Sequence, residues 1–139
     1  MKVKEIKSPR AALEFFHSCL CGGTIGFGSY FIDTLSDDDW DKAKHSLLSS
    51  EDFNGFEVDG VRHVCVEDVF AHALEIGLIL AVKYRGCTET ERLINLQNIR
   101  DGIDEVDINR YVKITQGLCD SIDTDFAMQE MLFGKVIHS

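Results

Sequence analysis

Hydrophobic residues recur along this chain at helical spacing in most segments and at strand spacing in one. Ser8-Pro9 opens the first helical pattern, with serine as N-cap and proline at the first helical position. Leu13, Phe16 and Leu20, beside Ala12, Phe15 and Cys19, then follow at the spacing of a buried face, and Gly22-Gly23 closes the run. Thr24 to Leu35 is a glycine-broken apolar stretch that predicts a loop and a short strand around residues 29–33. Ser36 followed by Asp39 resembles a capping box with aspartate in the glutamate position. The helix it opens carries Trp40, Ala43, Leu47 and Leu48 and ends near Ser49.

The clearest local signal is Phe56-Glu57-Val58, Asp59-Gly60, then Val61 to Val66. An Asp-Gly pair between alternating apolar positions predicts a β-hairpin with a type I′ turn. That register sets Val58 opposite Val61, Glu57 opposite Arg62 and Phe56 opposite His63. Residues 67–85 then read as a central helix with Gly77 inside it and Gly86 at its end. Thr88 and Glu91 make a capping box for a helix bearing Leu93, Leu96 and Ile99 and stopping by Gly102. Asp107 caps a helix with the stripe Ile108, Tyr111, Val112, Thr115, Leu118 and Cys119. A last helix begins near Asp123 or Thr124 and ends at Gly134. The prediction is an α+β, helix-dominated single domain over residues 1–139, with about five to six helices and one antiparallel hairpin near residues 55–66.

Length agrees, because 139 residues fit one domain. No apolar run reaches the ~20 residues of a membrane span, and the basic N-terminus lacks the apolar stretch of a signal peptide, so a cytoplasmic protein is expected. An odd set of five cysteines (Cys19, Cys21, Cys65, Cys87 and Cys119) agrees with reduced thiols.

Charge changes the picture more. The net charge is −10, and residues 33–68 and 101–130 concentrate it on either side of a near-neutral middle. Nucleic acid and anionic membranes demand basic patches, so neither is an expected partner. A basic protein is, because a carboxylate surface steers one toward it.

Several constellations invite chemistry. Glu14-x-x-His17 places a carboxylate and an imidazole on one helical face, half of a bundle di-metal site, but His72-x-x-Glu75 runs in the reverse order. Asp68 and His72, four apart, could share a face. His17, Cys19 and Cys21 are the densest soft ligands, with His63 and Cys65 as further donors, yet a helix splays alternate residues and keeps 17, 19 and 21 from converging. Cys87, beside Arg85 and a helix start, is the best placed thiol for nucleophilic work, opposed by Glu89 and Glu91. The glycines of GGTIGFG follow a helix instead of a strand and precede three aspartates, the wrong setting for a phosphate. Asp101, Asp104, Asp107 and Asp120, Asp123, Asp125 miss the calcium-loop pattern and read as caps.

No catalytic set, metal site or cofactor is therefore assigned. The first expectation is a non-enzymatic acidic binding protein that neutralises a basic partner, such as an immunity protein or a phage-type inhibitor of a defence nuclease. Its partner-binding residues are Asp37, Asp38, Asp39, Asp41, Glu51, Asp52, Glu67 and Asp68, with Trp40 among them read as core. One alternative is a small enzyme or ligand- or metal-binding domain with a pocket between the first helix and the hairpin, lined by His17, Cys19, His63 and Cys65. Another is a helical oligomerisation or scaffold module using the apolar face of residues 69–84.

Overall fold

The computed structural model describes residues 8–22, 35–51, 55–83 and 90–136. Over them the chain is α+β and helix-dominated, with six helices and two separate two-stranded antiparallel sheets. The order is α1 (Pro9–Gly22), α2 (Asp37–Leu48), β1 (Phe56–Val58), β2 (Val61–His63), α3 (Val66–Glu75), β3 (Leu80–Val82), β4 (Arg92–Ile94), α4 (Leu96–Ile103), α5 (Ile108–Thr115) and α6 (Ser121–Phe133). None of these helices is long and apolar enough to cross a membrane. The strand expected around residues 29–33, Asp52, and the segment with Cys87 and Thr88 lie outside the described residues.

Helix α1 is the hub. It packs on α3 to one side and on α4, α5 and α6 to the other, while α2 lies against α3. A central helix must bury more than one stripe, and α1 does so with Ala12, Leu13, Phe15, Phe16, Cys19 and Leu20. Phe15 stacks on Tyr111 at 5.0 Å, tying α1 to α5. The remaining stripe of α1, Arg10, Glu14, His17 and Cys21, follows the i, i+3 and i+4 rule on a polar face.

The caps explain where elements start. Ala11 N–H donates to Ser8 Oγ at 3.1 Å, and Asp39 N–H donates to Ser36 Oγ at 3.1 Å. Asp107 accepts from Asn109 and Arg110, and Asp120 exchanges hydrogen bonds with Asp123 in a full capping box. Those contacts lower the Asp120 carboxyl below its ordinary range, led by the Asp123 backbone N–H. The first hairpin has the expected register, Phe56 with His63, Glu57 with Arg62 and Val58 with Val61. Asp59 and Gly60 both have positive φ, as a type I′ turn requires.

The long central helix of residues 67–85 is not observed. Helix α3 stops at Glu75, and Gly77 at φ +89° closes it: Gly77 N–H donates to Leu74 O and Leu78 N–H to Ala73 O, a Schellman ending. The chain then forms β3, whose Leu80 and Val82 are buried and pair with Ile94 and Arg92 of β4. Leu78 to Val82 is apolar at every position, so the sequence offers no polar alternation there and reads like the continuation of a helix. The helix expected after Thr88 is likewise replaced by β4, and α4 begins later, capped by Asn95 and Asn98 reciprocally. On α5 the expected stripe shifts: Tyr111 and Ile114 are buried and Ile108 faces solvent, and Leu118, beyond the helix end at Thr115, is exposed as well.

Gly102 sits in the last turn of α4 where it crosses α6, and a Cβ there would collide with the Met131 carbonyl oxygen. Two glycine substitutions test these placements by denaturant unfolding. A mid-helix Gly77→Ala would stabilise by about 1 kcal/mol; at positive φ in open space it is expected to destabilise by about 1–2 kcal/mol. Gly102→Ala is expected to cost about 2–3 kcal/mol through overpacking, and a neutral result would contradict the tight crossing.

Candidate functional site

The polar stripe of α1 faces a matching stripe on α3, where Asp68, Ala71, His72 and Glu75 recur at i, i+3, i+4 and i+7. Between them, with Leu47 of α2, lies an open groove of about 490 Å³. Arg10, Leu13, Glu14, His17 and Ser18 line it from α1. The pocket thus lies among α1, α2 and α3, not between the first helix and the hairpin as the ligand-binding alternative expected.

Two imidazoles define the groove, His17 fixed at one ring nitrogen and His72 at both. His17 Nε2 lies 2.7 Å from Asp68 Oδ1. A carboxylate only accepts, so Nε2 carries the proton. The other Asp68 oxygen accepts the Cys65 N–H at 3.2 Å, which caps α3. His72 Nδ1 likewise donates to Glu75 Oε1 at 2.8 Å, leaving Nε2 to accept the Ser46 hydroxyl at 2.9 Å. His17 thereby joins α1 to α3, and His72 joins α3 to α2.

Both relays resemble catalytic connectivities, and each lacks a necessary part. Ser46, His72 and Glu75 stand as nucleophile, base and carboxylate, but acyl transfer also needs N–H donors aimed at the developing oxyanion. Ser46 lies inside α2, where the neighbouring amides are committed to the helix ladder. Cys21, His17 and Asp68 form the second relay. The Cys21 sulfur is 3.5 Å from Nδ1 and 3.8 Å from Nε2. A thiol on the Nδ1 lone-pair axis would lie far from Nε2, across the ring, so this sulfur sits beside or over the imidazole and is not aligned for proton transfer. The thiol is also pushed up from its ordinary value, by desolvation first, then by the charges of Glu67 and Asp68, whereas a nucleophilic cysteine needs the opposite shift.

The soft-ligand set does not converge. Cys19 is buried on the core face of α1, and burial pushes its thiol far up. His63 stacks on Phe56 of the hairpin at 5.5 Å. Cys65 is exposed at the start of α3. Among the described residues, no three His, Cys, Asp or Glu side chains are arranged to hold a metal ion.

Of the seven described among the eight acidic residues singled out from sequence, Asp68 alone lines the groove. Asp37, Asp38 and Asp41 are exposed around the N-terminal half of α2, with Asp39 half-buried between them, and Glu51 is exposed just beyond its end. Glu67 is half-buried at the start of α3, and Asp52 lies outside the described residues. Trp40 packs edge-on against Phe70 at 5.7 Å and belongs to the rim of the core. The groove residues Glu14, His17, His72 and Glu75 were visible in the sequence as separate pairs, with no signal that they share a cavity. No family profile, no curated protein and no solved structure matches the chain.

Cysteine alkylation followed by mass mapping tests this geometry. In the native protein at neutral pH, iodoacetamide is expected to modify Cys21 and Cys65 but spare Cys19 until unfolding. Cys21 should react more slowly than an unstructured cysteine and faster in Glu67→Gln, since removing a nearby negative charge favours thiolate. Rapid native labelling of Cys19 would contradict its placement in the core.

Proposed function

We propose that this chain is a non-enzymatic binding domain that captures and neutralises a basic protein, in the manner of an immunity protein or a phage-type inhibitor of a defence nuclease. One observation carries the reading: Asp37, Asp38, Asp39, Asp41, Glu51 and Glu67 form no ion pair with another described residue. Three of these carboxylates occupy the first turn of α2, where they complement the helix dipole and pair with no cation among the described residues.

Such a surface attracts a basic partner over a distance of the order of a Debye length, about 8–10 Å at physiological salt, and accelerates encounter more than it strengthens the final complex. The same field disfavours nucleic acid as a direct ligand. A cytoplasmic setting suits the free thiols.

Capture from native extract tests the reading when wild type is compared with D37K/D38K/D41K. The expected result is a basic protein retained by wild type at about 50 mM salt, lost from the triple variant, and released as salt is raised. With that partner purified, charge reversal should lower the association rate about tenfold or more at low salt. An identical set of retained proteins for both chains, insensitive to salt, would contradict the proposal.

A further inference from the structure

The groove among α1, α2 and α3 has an apolar floor and a carboxylate rim. Leu13, Leu47 and Ala71 form the floor, and Glu14, Asp68 and Glu75 stand around it with Arg10. Three carboxylates thus face the single guanidinium of Arg10. Among the described residues, the carboxylates differ in which oxygens are already engaged. Asp68 is engaged at both oxygens, by His17 and by the Cys65 N–H. Glu75 is engaged at Oε1 by His72, and its other oxygen has no partner among the described residues. Glu14 pairs with Arg10 at 3.3 Å, one turn away on the same helix. Both side chains of that pair are largely exposed, and an exposed pair of this kind contributes little and exchanges readily.

An apolar floor with free carboxylate oxygens at its edge complements one chemistry, an alkyl stem ending in a cation. We propose that the groove seats a lysine or arginine side chain of the captured protein; this inference rests on the binding function proposed above. The stem lies along Leu13, Leu47 and Ala71, and the charged head replaces Arg10 at Glu14 and takes the free oxygen of Glu75. A volume of about 490 Å³ is within the usual range for ligand pockets and accommodates one such side chain with its backbone. His17 and His72 line the same groove, so their ring signals report its occupancy.

The test is a titration of isotope-labelled wild-type protein with N-acetyl-lysine-N-methylamide, the arginine analogue and the neutral glutamine analogue, followed at the His17 and His72 ring resonances. The lysine and arginine probes are expected to shift both signals saturably and the glutamine probe to leave them unmoved. The variant E14Q/E75Q alters two side chains at the groove's open edge and should keep the fold, checked by its unfolding curve. It is expected to weaken probe binding about tenfold, the loss of charge-assisted contacts. Equal response to the neutral probe, or unchanged affinity in the folded variant, overturns the inference. The two readings fail separately. If D37K/D38K/D41K abolishes partner capture while E14Q/E75Q changes neither capture nor probe binding, the function stands and the groove assignment falls. If the probes bind but wild type captures no basic protein, the binding function falls.

Discussion

The Asp68 carboxylate fixes the groove side of the molecule, because its two oxygens serve two different elements. One caps α3 by accepting the Cys65 N–H, and the other accepts the His17 ring proton from α1, 51 residues away in sequence. Where α3 begins and where α1 lies against it are therefore set by the same group. Helix α3 passes that placement on: His72 accepts from Ser46, and Phe70 meets Trp40, so α2 is located as well. The first hairpin runs into α3 and is anchored to α2 by Arg62 donating to Leu48 O at 3.0 Å.

Magnitudes divide the labour between packing and polar contacts. A buried Phe or Leu contributes roughly 1.5–3 kcal/mol, and α1 buries Phe15, Phe16, Leu13 and Leu20. A typical hydrogen bond contributes about 1 kcal/mol net. Association of α1 with its neighbours is thus driven by apolar burial, and the His17 and His72 contacts select one register among those that burial allows. The groove follows from that register, since it brings two polar stripes together over an apolar floor.

Much of this was legible locally. Ser8, Ser36, Asp107 and Gly134 mark helix ends by their own chemistry, and Asp59-Gly60 determines the hairpin register through its turn. Residues 76–83 and 90–95 are not legible as turn and strand, because Gly77 at positive φ and Gly within a helix look alike in sequence, and because Leu78 to Val82 is apolar at every position and shows no polar alternation. The candidate site was legible in parts. His17 with Glu14, and Asp68 with His72, were each placed on a face by helical spacing alone. That the two faces meet depends on the packing of α1 against α3, a contact between distant segments that no local pattern encodes.

The account depends most directly on the coupling of His17 to Asp68. A double-mutant cycle of His17→Gln and Asp68→Asn, measured by denaturant unfolding near neutral pH, isolates it, because the capping loss at α3 occurs in both arms that carry Asp68→Asn and cancels. The predicted coupling is about 1 kcal/mol, in keeping with a partly exposed charge-assisted hydrogen bond. Strictly additive effects would contradict the claim that this contact sets how α1 lies against α3 across the groove.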